Sequence, residues 1–382
     1  VQTCALPICN ASSYYYRSKQ NGNWSDLATW EVSTTADFAV TANALVLPTA
    51  ANSDTIMVSL GDTVTVTATP SPNPDDVVVN GVLNINSGVT FAIANGAAAT
   101  DMIVNGTINN NNGTLTLNTT SSLTTVNGFI NNIGASATTT GATATLVFAN
   151  GSQYDHNRNA GTIPTATWQS GSTCRLSGIT TTMSGGLGQA FHHFTYSGNN
   201  QTQASNFGGL LTTVNGNFTY GNTTAFELRL SGTVAYTLTV GGNFVVDSGS
   251  LSLISGTFAT GSAITNINGN LLINGGRFGG SGSTQAVTVN LDGNYTQSGG
   301  TFDNIGSGVV TFNFRGANRT FQRTGGTFTP TNYNFNINTA NASLRLLSDI
   351  TVASTRSFTL TNGTLFCDTN KVVGAGTFTT NA

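Results

Sequence analysis

The sequence predicts an all-β fold, a right-handed parallel β-helix (β-solenoid) of 22–27 residues per coil with almost no helix. The first observation is a repeated motif: an apolar residue, a variable residue, Gly, usually Asn, then a large apolar residue. It occurs at Val214–Phe218, Val240–Phe244, Ile267–Leu271 and Leu291–Tyr295, with a degraded copy at Phe314–Asn318. Its glycines Gly216, Gly242, Gly269, Gly293 and Gly316 are spaced 26, 27, 24 and 23 residues, and upstream relatives at Gly81, Gly106 and Gly128 are spaced 25 and 22. Periods of this size mark solenoids, in which each repeat forms one layer. Second, apolar residues around the motif alternate with Asn, Thr and Ser, the period of a strand with one buried face. Third, no window carries the i, i+3, i+4, i+7 pattern of an amphipathic helix.

Taken in order, residues 1–9 read as the translation of a sequencing adapter and stand outside the fold. Residues 10–40, rich in aromatic and charged side chains around Tyr14–Glu31, are expected to cap the solenoid, which occupies 41–382. The prolines between Pro70 and Pro74 mark a loop. Each coil carries at least two strands, the second signalled by Gly-x-Phe or Gly-x-Leu at Gly256–Phe258, Gly276–Phe278, Gly300–Phe302, Gly326–Phe328 and Gly363–Leu365. The motif glycines are expected at corners with φ > 0. The following Asn217, Asn243, Asn270 and Asn294 would stack there as a side-chain amide ladder. Phe218, Phe244, Leu271 and Tyr295 would form one core row, and Val214, Val240, Ile267 and Leu291 another. The chain stops in mid-repeat, as a truncated solenoid would.

Composition narrows the function. Charged residues are 7%, the net charge is −3, and there are 45 Gly and 21 Phe, so apolar material suffices for a core while solubility rests on neutral polar groups. Only two Lys and ten scattered Arg are present, which excludes a basic stripe for nucleic acid. No apolar run reaches the ~18 residues of a membrane span. Cys174 and Cys367 lie 193 residues apart in sequence. At ~24 residues per coil and ~4.8 Å per layer they stand too far apart for a disulfide, and both read as core residues.

The segment Gly22–Glu31, GNWSDLATWE, followed by Pro48 and by SDTIMVSLGDTVTV at Ser53–Val66, resembles the start of β-solenoid modules in large secreted proteins of Bacteroidetes. The same pairing is similar to a G8-type cap. Gln153–Thr180 and Gln189–Gln203 also look like this group. The resemblance implies type IX secretion and display at, or release from, the outer membrane.

Ionisable residues that could carry chemistry are few. Asp75-Asp76 is the only acidic pair, and beside the proline loop it reads as a solvated turn. Asp292 and Asp303 near Arg315 form the most lyase-like set, with turn chemistry the simpler reading. His192 and His193, adjacent in a strand, would face opposite ways and share no metal. Arg315, Arg319 and Arg323 with Tyr333 could line an anion-binding face, and Trp168 and Tyr196 a carbohydrate groove in the loops of 150–207. The expectation is a structural, adhesin-like extracellular rod that is not an enzyme, has no catalytic, metal or cofactor site, and meets an extracellular polysaccharide or another surface protein. The alternative is a carbohydrate-binding or polysaccharide-cleaving β-helix.

Overall fold

A computed structural model of the chain describes residues 14–70, 73–96, 98–117 and 121–380; the adapter-like segment 1–9 lies outside them. The chain winds as a parallel β-solenoid of about 13 turns, nearly all strand. It divides into two compact units, one reaching Asp155 and including Thr162–Gln169, the other comprising His156–Gly161 and the residues from Ser170 onward.

The first unit opens with antiparallel pairing: Tyr14–Ser18 runs against Trp30–Ser33, which runs against Ala42–Asn43. The other edge of Tyr14–Ser18 pairs in parallel with Ser53–Val58, so the hairpin closes a sheet that would otherwise expose an edge. One 3-10 turn, Leu27–Thr29, is capped by Asp26, whose carboxylate accepts the Ala28 N–H at 2.9 Å. Trp24 packs edge-on against Trp30 at 5.1 Å and against Phe91 at 5.2 Å, filling the end of the core. From there three sheets repeat: Val77–Val79, Met102–Val104 and Thr124–Val126 on one; Val82–Ile85, Thr107–Asn111 and Phe129–Ile133 on the next; Thr90–Ala92, Thr114–Thr116 and Thr138–Thr140 on the third.

The second unit has the same plan. Tyr236–Val240, Ala263–Ile267, Val287–Leu291, Val310–Phe314 and Tyr333–Ile337 make the first sheet. Phe218–Asn222, Phe244–Val246, Leu271–Ile273, Tyr295–Gln297 and Arg319–Arg323 make the second. Glu227–Ser231, Ser250–Ile254, Arg277–Ser281, Thr301–Asp303 and Thr327–Thr329 make the third. Three strands per coil therefore replace the minimum of two read from the sequence. The row Phe218, Phe244, Leu271, Tyr295 stacks in register, as does Val214, Val240, Ile267, Leu291, Phe314. Each large side chain so buried contributes about 1.5–3 kcal/mol, and it does so only with a neighbouring coil beneath it.

The third row is Leu228, Leu251, Phe278, Phe302, Phe328. Two of the Gly-x-Phe/Leu signatures are misassigned by sequence: Phe258 lies outside any strand and is half-buried, and Leu365 pairs with Leu344 on the second sheet. Cys174 is buried in register with Phe194, but Cys367 is half-exposed rather than core.

The motif glycines have another reason than the one expected. Positive φ occurs at Gly249, Gly300 and Gly326, which begin third-sheet strands, and not at Gly216, Gly242, Gly269 or Gly293. At the latter corner successive coils approach until backbone meets backbone. A Cβ on Gly269 would stand 2.5 Å from the carbonyl carbon of Gly242, and one on Gly242 2.8 Å from that of Gly216. Glycine is required there for closeness, not for conformation.

Candidate functional site

The corner asparagines do form a ladder, with a different bond from an amide-to-amide one. Asn217 Oδ1 accepts the Asn243 N–H at 2.8 Å, Asn243 Oδ1 the Asn270 N–H at 2.9 Å, and Asn270 Oδ1 the Asn294 N–H at 2.8 Å. Asn294 Oδ1 then accepts the Thr320 N–H at 3.0 Å. Each side chain thus satisfies a backbone donor that the glycine turn leaves unpaired. True amide ladders stand elsewhere: Asn266, Asn290, Asn313 and Asn336 bond side chain to side chain at 2.8, 2.7 and 3.0 Å, and Asn84, Asn109 and Asn131 at 2.9 and 2.8 Å. The spacing of Asn266, Asn290, Asn313 and Asn336, each the next-to-last residue of its strand, was the signal for them.

His192 and His193 do not face opposite ways, because the corner falls between the strands Ala190–Phe191 and His193–Gly198. Their rings meet edge-on at 4.3 Å beside Gly216. His193 Nδ1 accepts the Asn217 N–H and His192 Nδ1 the Gly171 N–H, each at 3.0 Å, so the pair continues the corner ladder and directs its acceptor nitrogens at backbone. Among the described residues no group of three His, Cys, Asp or Glu could hold a metal ion.

Trp168 and Tyr196, read from sequence as lining a groove, are buried side chains. Trp168 is stacked on Phe148 at 4.4 Å and buried, and Tyr196 is fully buried with its hydroxyl donating to Gln201 Oε1 at 2.9 Å. Tyr333 is likewise buried. A ring with a polar tip reads the same in a sequence whether it faces water or a buried partner.

Nor do Asp292 and Asp303 converge on Arg315. Arg315 grips Asp292 with two hydrogen bonds of 2.8 and 3.0 Å. Asp303 instead pairs with Arg277 at 2.7 Å, on the outside of the third sheet. Arg277 also reaches Glu227, two coils back, at 3.2 Å, and Ser252 at 2.9 Å, while Glu227 binds Arg229. Sequence reading missed this strip because Glu227 and Arg277 are 50 residues apart. Its charges are mutually committed, which suits holding coils in register better than acid–base work.

Asp75 and Asp76 are not a solvated turn. Asp75 and Asp101 are buried, Asp76 sits at φ 50°, and Asp101 accepts N–H groups from Gly96 at 2.7 Å and Leu123 at 2.6 Å. Burial pushes both Asp75 and Asp76 upward, with Asp76 reaching about 7, helped by its hydrogen bond to Asp75 and by the charges of Asp75, Asp101 and Asp54. His156 moves the other way. Burial lowers it to about 4, with Arg158 adding to the shift and the contact to the Ala160 carbonyl at 2.7 Å opposing it.

These two groups act on stability with opposite signs. Between about pH 6.5 and 4 the unfolded chain binds a proton at His156 that the folded chain refuses, so acid costs up to ~3 kcal/mol. Asp76 holds a proton when folded that the unfolded chain has lost above its ordinary value, so its contribution falls as pH rises from about 4 to 7. The two shifts largely cancel in the parent between pH 7 and 4, so in urea titrations His156→Gln is expected to gain stability at pH 4 relative to pH 7, and Asp76→Asn to lose it. A parent-like difference between the two pH values in either variant would contradict the assignment.

Arg319 lines a cavity of about 170 Å³ with Asn318, Thr320, Ser343, Arg345 and Phe366. Of the four residues named as a ligand face, it alone is neither buried in the core nor paired with a carboxylate among the described residues. No family model, no curated protein and no solved structure matches the chain.

Proposed function

We propose that this chain is an extracellular, adhesin-like structural repeat protein of the kind displayed at a bacterial surface, holding binding modules in place, and that it is not an enzyme. The observation carrying the reading is the coil-to-coil bonding: the corner ladder from Asn217 to Thr320, the amide ladder from Asn266 to Asn336, and core rows in register throughout the second unit. Such a fold gains stability with every layer and suits a spacer under load. The charged strip of Glu227, Arg277 and Asp303 adds support, since its carboxylates are neutralised by arginine. The likeness of Gly22–Glu31 and Ser53–Val66 to secreted Bacteroidetes solenoid modules favours a type IX secretion route and a surface location.

The carbohydrate-cleaving alternative loses its aromatic residues to the core. Prolonged incubation of the protein with neutral and acidic polysaccharides is expected to release neither reducing ends nor unsaturated products, while protein-coated beads attach to polysaccharide-bearing surfaces. Steady product release, abolished by Asp303→Asn, would overturn the reading.

A further inference from the structure

Arg319 is a half-buried cation without a counter-charge. Its Nε is enclosed with no hydrogen-bond partner, and among the described residues it makes no ion pair. A partly desolvated guanidinium with no carboxylate beside it gains from an arriving anion at its open end. The cavity beside it supplies what such an anion needs. Register aligns Thr320, Arg345 and Phe366 in one outward lane on three successive coils, with Arg319 flanking it. Arg345 is already paired with Asp368 and lies 5.1 Å above the Phe366 ring, so it lends donors and a face without adding net charge. Thr320 is fixed by the last rung of the corner ladder, and Ser343 Oγ accepts the Asn318 N–H at 2.6 Å.

The surroundings are basic. Six of the chain's twelve Lys and Arg lie between residues 309 and 380, against two of its fifteen acidic residues, in a protein whose net charge is −3. That asymmetry draws anions toward this end of the second unit. One open guanidinium, hydroxyls and an exposed aromatic edge match a singly charged, hydroxyl-rich ligand better than a doubly charged phosphate.

We propose that this cavity is a subsite for an acidic polysaccharide, with Arg319 binding the carboxylate of a uronic acid residue. The assignment rests on the adhesive reading above and names its ligand. The two fail separately: product release would end that reading, and loss of Arg319 dependence would end this one.

The test is calorimetric titration of the protein with alginate, whose charge is carboxylate, κ-carrageenan, whose charge is sulfate ester, and laminarin, which is neutral. Alginate is expected to bind, to weaken as salt rises, and to weaken at least about tenfold in Arg319→Ala while Arg319→Lys keeps part of the affinity. Arg356→Gln removes the same charge from a residue that bonds Asn332 away from the cavity, and is expected to bind as the parent does. Melting curves check folding, and Arg319→Gln, which removes the charge but keeps a polar side chain with two amide donors, repeats the measurement should the alanine variant melt early. Absence of alginate binding, equal affinity in the Arg319 variants, an equal loss in Arg356→Gln, or binding of κ-carrageenan alone would each overturn the proposal.

Discussion

Gly269→Ala is expected to destabilise the second unit by about 3 kcal/mol, lowering its melting midpoint by about 6–12 °C, although it adds a single methyl group. The methyl would meet only backbone: the Gly242 carbonyl at 2.5 Å and the Asn243 nitrogen at 2.8 Å. Side chains can rotate away from a new neighbour. A peptide group held by the Asn217 to Asn294 ladder cannot, so two coils must part and rungs must lengthen. Gly188 supplies the control, because a Cβ there meets nothing within 4 Å and its backbone does not need positive φ. Gly188→Ala should stay within about 0.5 kcal/mol of the parent. Equal effects at the two sites, measured by chemical unfolding, would remove the close-approach explanation.

Phe302→Ala is expected to cost about 3–5 kcal/mol. Its ring is fully buried and touches the rings of Phe278 at 5.7 Å, Phe328 at 5.0 Å, Tyr333 at 4.6 Å and Tyr295 at 5.6 Å. Deleting it leaves a hole among five aromatic neighbours, Phe312 at 6.0 Å being the fifth, that have no freedom to collapse, since each is fixed by its own strand. Phe258, which carries the same Gly-x-Phe signature, is half-buried outside any strand. Phe258→Ala should cost less than about 1.5 kcal/mol, and a loss as large as that at Phe302 would mean the third core row is misplaced.

Much of this architecture is legible in the residues, and its limits have physical causes. The rows Val214 to Phe314 and Phe218 to Tyr295 follow from a motif whose apolar positions keep constant offsets from the glycine. Its corner glycines are equally visible, yet a sequence does not say whether glycine serves φ or proximity, and here it serves proximity at Gly269 and φ at Gly300. The Gly-x-Phe signature is ambiguous because Gly256 and Gly276 look alike while only Phe278 enters a strand. Trp168 and Tyr196 were read outward because their region lacks the repeat that reveals which face is buried. Contacts across coils, such as Glu227 with Arg277, require a register that single motifs do not provide. Arg319 was legible as a residue but not as an unpaired one, since pairing depends on where Asp292 and Asp368 fall.

The most direct test of the stacked-coil account is the distance between spin labels at Thr239 and Thr359. Register places these outward positions in one lane through Asn266, Asn290, Asn313 and Asn336. Five layer steps of ~4.8 Å predict a separation of about 24 Å despite the long stretch of intervening sequence. A narrow distribution near that value in pulsed dipolar spectroscopy is the predicted result. A broad distribution, or one centred beyond about 35 Å, would contradict the account.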